Sequence, residues 1–293
     1  MGTLLAVTLP AASAEVETPR LRAVFETATL CDDVMSRHQP HTDLRRLNRR
    51  AGDPSGVTST ALAEVLGEAR DLARRTDGAF DPTVAPLAAL WQRALTRGTM
   101  PDRRQVGAVL ACVGWPALTV TGTRASLDRA GMAVDLGGFG KGVALDRIAA
   151  ALRRQACTSA FLNFGESSLV ALGRPPRGRW TIVLRHPLGG FAAAFPLRDR
   201  ACSTSATPSP LRDAGRRRAR PVVDPRTGEL VETIAQVTVL ARSAAVAEAA
   251  STAMLVQGRA AMETLAERLD VDACWIDAAG IASTRWFPLQ RLA

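Results

Sequence analysis

One lysine, Lys141, stands in this chain, in the run Asp135-Leu136-Gly137-Gly138-Phe139-Gly140-Lys141-Gly142. Every other residue counted with it as basic is an arginine. Arginine presents a rigid planar fork and lysine a compact, mobile ammonium, so the two do not substitute freely. A glycine-rich turn that carries one lysine and opens a helix can cradle a phosphate. Free backbone N–H groups and the helix dipole favour an anion there. The same run also reads as a solvated turn, and alone it does not separate these alternatives. It is not a Walker A loop, because Gly142 rather than Ser or Thr follows the lysine. Its glycines follow GxGxG, not GxGxxG. There is no GxSxG elbow, and His38, His41 and His186 offer little material for a histidine triad or metal site.

The elements that must position this run are legible from periodicity. A first strand is expected over Thr3–Leu9, turning at Pro10. Leu21, Val24, Phe25, Ala28, Cys31 and Met35 form a helical stripe. Residues 39–59 are polar, with Gly and Pro, and read as loop. Leu62 to Ala73 marks a second helix ending at Asp77-Gly78, and Ala79 to Val84 reads as a loop or short element. A short helix is expected over Pro101–Ala111, and paired strands over Thr119–Leu127 and Met132–Leu136. The helix opened by Gly140-Lys141 places Leu145, Ile148, Ala149 and Leu152 on one face. Strands are expected over Ala160–Phe164, Ser168–Leu172, Trp180–Leu184, Phe191–Leu197 and Gln236–Ala241, with 202–220 as loop. A helix over Ala244–Gln257 ends at Gly258. A last helix over Arg259–Leu269 precedes strands at Val271–Ile276 and Ile281–Trp286. Neighbouring strands interleaved with helices predict an α+β fold rather than regular βαβ units.

The chain has 293 residues, of which 47% are hydrophobic and 22% charged, enough for a large core. Its net charge of +9 attracts anions. The densest basic run, Arg212 to Arg220, reads as a solvated loop, and no aromatic-rich basic module of the nucleic-acid-binding kind is visible. Five widely spaced cysteines form no zinc pattern and read as small core residues in a reducing compartment. No apolar run is long enough to cross a membrane, so no stable membrane insertion is expected. Leu4 to Ala14 ends like a signal-peptide cleavage site, yet no basic stretch precedes it. A cytoplasmic location is expected, with a trimmed exported precursor as the alternative.

An ordered series of segments resembles one family, the ApbE-type FAD:protein FMN transferases. Met1-Gly2-Thr3 looks like its opening. Met35-Ser36 through Leu47-Asn48 resembles "MSxYxPxSxLSRLN", and Ala79 through Leu87 resembles "AFDPTVGPL". Asp135 to Asp146 resembles "DLGGIAKGYAVD", and Leu162 to Gly165 resembles "INLGG". Val222 to Gly228 resembles "IIDPRTG", and Glu248 to Gly258 resembles "DALATALFVLG". The chain's two asparagines, Asn48 and Asn163, both fall inside these segments. The likeness implies a single domain over 1–293, built of two intertwined α/β subdomains with mixed or antiparallel sheets.

The resemblance implies a chemistry: magnesium-assisted cleavage of FAD, transfer of the FMN half to a threonine of an acceptor flavoprotein, and release of AMP. Such a hydroxyl attack on a pyrophosphate needs charge neutralisation, in-line positioning and removal of a proton. It implies FAD-binding roles for Met1, His38, Ala79, Phe80, Asp81, Asp135, Lys141 and Thr227. It implies a magnesium site made by the Gly138 backbone, Glu248 and Thr252. The last two are four apart and share a helix face, and hard oxygens suit that ion. On periodicity alone Glu248 reads as an exposed helix position. The family pattern has aspartate there, so this carboxylate is one methylene longer. His38 falls where many members carry an aromatic that stacks on the flavin.

The largest departure is Pro221, where the resembled pattern has a histidine near the transfer chemistry. Proline has neither a base nor a donor. The upstream "SGxYxR" pattern is also blurred into Ser203 to Pro208. Three readings follow: a divergent transferase using another base or substrate-assisted deprotonation, a flavin-binding carrier or regulatory homologue, and a hydrolase giving FMN and AMP.

Overall fold

Strands that stay buried along their whole length fix this architecture, because each must feed two cores. The computed structural model describes residues 2–10, 13–56, 58–207 and 221–292. The chain begins with β1 (Leu5–Thr8), α1 (Ala14–Met35), α2 (Asp43–Arg49), α3 (Thr60–Arg75), α4 (Ala85–Arg97) and α5 (Arg103–Leu110). The hairpin β2 (Leu118–Thr121) and β3 (Arg124–Leu127) precedes α6 (Gly140–Arg154). Then come β4 (Ala160–Phe164), β5 (Ser168–Leu172), β6 (Trp180–Arg185), β7 (Phe191–Leu197), β8 (Arg200–Ala206) and β9 (Ala235–Ala241). The chain closes with α7 (Ala244–Gln257), α8 (Met262–Leu269), β10 (Asp272–Asp277), β11 (Gly280–Ser283) and β12 (Gln290–Arg291).

The large sheet runs β1-β4-β5-β8-β9-β10-β11, every neighbouring pair antiparallel. Its β5 and β9 are buried throughout, and the period of two sends alternate side chains to opposite faces. Val170, Leu172, Val237 and Val239 join the core beneath the helices. Leu169, Ala171 and Leu240 join a second core against the small sheet β12-β7-β6. The layers are therefore helices, large sheet and small sheet, and the α+β expectation holds. On the helical face α1 packs on α6, α6 on α7, and α7 across β8 and β9.

Four local expectations need correction. Residues 39–59 contain α2, capped by the Thr42 side chain, which accepts from Arg45 N–H. Only Leu44 and Leu47 are buried in it, too few to announce a helix by periodicity. The helix α4 is absent from the expected elements, although Pro86 in its first turn and left-handed Gly98 at its end bracket it. The 202–220 loop reading fails over its first residues, which form β8. There, half-buried serine and threonine hydroxyls pair laterally: Ser205 with Ser251 at 2.8 Å and Thr204 with Thr238 at 2.9 Å. Residues 208–220, including the Arg212–Arg220 run, lie outside the described residues. Finally, Met132–Leu136 is not a strand. A single parallel bridge joins Ala133 to Val84, and Asn48 clamps Val134, donating Nδ2–H to its carbonyl at 2.9 Å and accepting its N–H at 2.8 Å.

All five cysteines are free, four buried and Cys112 partly exposed. Burial pushes the thiols of Cys202 and Cys274 up to about 12. Among the described residues no helix is long and apolar enough to cross a membrane.

Candidate active site

The glycine-rich run acquires its conformation from a helix crossing. A Cβ on Gly142 would lie 2.4 Å from the carbonyl oxygen of Ala244, so α6 and α7 meet here backbone to backbone. One turn further along α6, Asp146 accepts the Ala244 and Ala245 N–H groups at 2.8 and 3.0 Å and the Ser243 hydroxyl at 2.7 Å. A carboxylate of one helix thus caps the N-terminus of the other, where orphan N–H groups and the dipole favour an anion. The α7 side of the crossing is a run of small residues, with Ala244, Ala245, Ala247, Ala249 and Ala250 all buried.

Glu248 completes the lock. Its side chain is only 3% exposed. It accepts the Gly142 N–H at 2.8 Å and the Ser168 hydroxyl at 2.5 Å, and it forms an ion pair with Lys141 Nζ. Reading Glu248 as an exposed position is therefore wrong. The helix is buried almost all round, so no polar face exists for periodicity to detect. The phosphate-cradle reading of the run is also modified. Of the N–H groups at the start of α6, that of Gly142 is taken by the protein's own carboxylate.

In front of this crossing lies a cleft of two connected chambers of about 730 and 320 Å³. Arg37, Asp135, Gly137 and Ser167 line both. Ala79, Phe80, Asp81, Gly138 and Thr252 line the larger chamber, and His38 and Lys141 the smaller. The fold therefore brings most of the expected residues to one place. Thr227 does not line either chamber. It is exposed, its hydroxyl accepts the Glu229 N–H, and the cleft wall is made by Val223 and Pro225 of the same segment. Met1 lies outside the described residues.

Two expected residues carry internal duties. Asp81 accepts Thr83 N–H at 2.7 Å, the Thr83 hydroxyl at 2.6 Å and Trp115 N–H at 2.8 Å, so it staples its own loop. Burial nonetheless pushes its carboxyl above the ordinary aspartate range, against the lowering effect of those bonds. Asp135 accepts Gly137 N–H at 2.9 Å and pairs with Arg37 Nη1 at 2.9 Å. His38 is exposed and accepts from Arg37 Nε at 3.4 Å.

Of the three residues expected to hold magnesium, Gly138 and Thr252 adjoin in the larger chamber, while the Glu248 carboxylate lines neither chamber. A Cβ on Gly138 would lie 3.3 Å from Thr252 Oγ1, and Glu248 sits one turn before Thr252 on α7. Hard oxygens in this grouping fit a magnesium ion that keeps water and phosphate ligands. The carboxylate already carries a resident cation, Lys141, so a metal there must share or take that oxygen.

Sequence reasoning missed Arg37, Arg93, Ser167 and Ser205, which also face the cleft. Arg37 and Arg93 belonged to a scattered arginine background that hid them. Ser167 carried a faint signal. It follows Gly165 and Glu166, both at positive φ in the β4–β5 turn, with Asn163 accepting the Glu166 N–H at 2.9 Å. Pro221 stands in the wall of the larger chamber, beside Val222 and Val223.

Comparison with known proteins finds relatives of one kind. A relative from Rhodobacter capsulatus, named FAD:protein FMN transferase, is 32% identical over 79% of this chain and 45% of its own length, so the chain spans under half of it. A Salmonella typhimurium protein of the same name is 27% identical over 88% of this chain and 77% of its own. The solved flavin transferase ApbE from Vibrio cholerae superposes with a TM-score of 0.80 at 26% identity, covering 97% of this chain and 94% of that one. The Thermotoga maritima apbe protein shares the fold, with a TM-score of 0.79 at 23% identity over 97% and 94% of the two chains. The family model described as the ApbE family matches residues 1–275, and the chain belongs to that family.

Proposed function

We propose that the protein transfers FMN from FAD to a threonine of an acceptor flavoprotein and releases AMP. The observation that carries this reading is the two-chambered cleft in which Asp135, Gly137, Gly138 and Lys141 converge in front of the α6–α7 crossing. Relatives named FAD:protein FMN transferase support it. In the reaction, the threonine oxygen forms a bond to the FMN phosphorus. The bond from that phosphorus to the bridging oxygen breaks, AMP leaves with the electron pair, and the threonine proton departs. Magnesium bound by the Gly138 backbone, Glu248 and Thr252 would neutralise charge on the pyrophosphate. Lys141 places a cation beside it, and Asp135 accepts hydrogen bonds from the ligand. Phe80 and Ala79 give the larger chamber an apolar wall against which a ring can pack.

Proton removal is the step that this chain must handle differently. Pro221 offers no base. The carboxylates lining the larger chamber are Asp81, engaged by Thr83 and Trp115, and Asp135, engaged by Arg37 and Gly137. Among the described residues of that chamber both carboxylates are engaged and the substrate phosphoryl oxygens offer an open acceptor, so deprotonation is substrate-assisted in this reading. Losing a general base slows a reaction by about 10²- to 10⁴-fold without abolishing it, and slow transfer is the expected behaviour.

The test is mass spectrometry of a threonine-bearing acceptor flavoprotein after incubation with FAD and magnesium. A gain of one FMN on the threonine, with AMP released, supports the transferase. The substitution at Pro221 favours one other reading, a flavin-binding carrier. Bound FAD that stays intact with a competent acceptor would establish it instead. Free FMN and AMP without acceptor labelling would identify a hydrolase.

A further inference from the structure

Arg37 is the side chain through which the parts of this cleft communicate, and nothing in the family pattern accounts for it. It lines both chambers and also a neighbouring groove of about 470 Å³ bounded by Ala89, Arg93 and Cys112. It follows the C-terminus of α1, where the loop is pinned by the Thr42 hydroxyl donating to the Ser36 carbonyl at 2.5 Å. Its side chain is 31% exposed, with Nη1 on Asp135 at 2.9 Å and Nε on His38 at 3.4 Å. Among the described residues Nη2 takes no partner. The fork is therefore held from two sides while one arm stays available at the junction of the chambers.

Charge accounting shows why an available arm matters there. The charged residues lining the larger chamber are Arg37, Arg93, Asp81 and Asp135, which balance one another. In the smaller chamber the charge of Lys141 is already matched by Glu248. A ligand carrying a diphosphate across both chambers brings two negative charges to a site whose lysine is committed. A planar guanidinium that is already oriented loses little freedom in binding phosphate oxygens.

We propose that Arg37 is a specificity residue that binds the diphosphate of a flavin dinucleotide where the two chambers join, with Asp135 and His38 orienting its fork. This rests on the reading of the cleft as an FAD site. It predicts that Arg37 discriminates phosphorylated flavins from riboflavin, which has the same ring and no phosphate. A charge-assisted contact of this kind corresponds to about ten- to hundred-fold in affinity.

The experiment is fluorescence titration of the full chain with FAD and, separately, with riboflavin. It compares wild type, Arg37→Ala, Arg37→Lys, Asp135→Asn and the double variant Arg37→Ala/Asp135→Asn. Arg37→Ala should lose about ten-fold or more for FAD while riboflavin affinity moves by less than about two-fold, which also shows that the variant is folded. Arg37→Lys should recover part of the FAD affinity, because the charge returns without the fork. The double variant separates direct contact from mere neutralisation of Asp135. Under the proposal it binds FAD more weakly than Asp135→Asn alone. Equal affinity of those two variants would mean that Arg37 acts only through Asp135, and the proposal fails. Wild type that binds FAD, with Arg37→Ala binding it equally well, overturns this inference alone. Wild type that binds neither flavin overturns the FAD reading and this inference together.

Discussion

The two sides of the cleft are built in opposite ways. On one side α6 and α7 touch backbone to backbone at Gly142. Asp146 caps the partner helix, and Glu248 holds Lys141, Ser168 and the Gly142 N–H together. On the other side Pro221, Val222, Val223 and Pro225 present no titratable group, and that segment is held by its own turn, with the Val223–Leu230 bridge, the Val231 N–H on the Val222 carbonyl at 2.9 Å and the Asp224–Arg226 ion pair. One wall concentrates charge and interlocks, while the other contributes shape. A change on the first wall should therefore cost fold and chemistry together. A change on the second should alter chemistry alone.

The largest expected effect is that of Glu248→Ala. It strands the Lys141 ammonium and leaves the Gly142 N–H and the buried Ser168 hydroxyl without their acceptor. Breaking one partner of a buried pair costs about 3–5 kcal/mol, and urea denaturation should show a loss of that size. Glu248→Asp should fall between the two, since the shorter side chain cannot span from Gly142 to Lys141 and Ser168 at once. An alanine variant within about 1 kcal/mol of the parent would contradict the interlocked wall.

Next comes Gly142→Ala. The added Cβ would lie 2.4 Å from Ala244 O and 2.6 Å from Ala245 Cα, and backbone cannot step aside as a side chain can. Overpacking of this sort costs about 1–3 kcal/mol or more. The control is Gly107→Ala in α5, where a Cβ meets nothing within 4 Å. There the same substitution should stabilise by about 0.5–1 kcal/mol through helix propensity. If both variants shift stability in the same direction, close helix approach is not what requires glycine at 142.

The same contrast explains what could be read from the sequence. The motif Asp135–Asp146 was legible because it packs several independent requirements into a few residues: a glycine for the crossing, a carboxylate cap and a charged partner. The strands β4, β5 and β7 and the helix α7 were legible because long apolar runs bounded by turn residues have few alternatives. The burial of Glu248 was not legible. It depends on α6 and on Ser168 of β5, elements distant in sequence, and an alanine-rich helix buried on all sides has no face to betray it. The helix α2 escaped because its cap and two buried leucines are too sparse a signal. Asn48 and Asn163 stand out by rarity, and the structure gives them backbone-holding duties at Val134 and Glu166. Arg37 was hidden by its own chemistry, one arginine among many, until the fold set it against Asp135.

The smallest stability effect, and the sharpest test of the contrast, belongs to Pro221. If its wall contributes only shape, Pro221→Ala should cost no more than about 0.4–1 kcal/mol, mainly by freeing the unfolded chain. FAD affinity should stay within about two-fold, as for a substitution that breaks no hydrogen bond or ion pair. Pro221→His asks the chemical half of the question. An unperturbed imidazole titrates at about 6.5, and the cation of Arg220, its neighbour in sequence, favours the neutral form. The imidazole accepts a proton only when neutral. Any gain in FMN transfer must therefore grow as pH rises toward that value and vanish well below it, approaching about 10²-fold if the geometry is good. Initial rates of acceptor labelling at a series of pH values, compared between the parent and the histidine variant, read this directly. Equal pH profiles for the two would show that proton removal does not limit the reaction on this wall. A Pro221→Ala variant as destabilised as Gly142→Ala would show that the second wall is interlocked too, and the distinction between the walls would be lost.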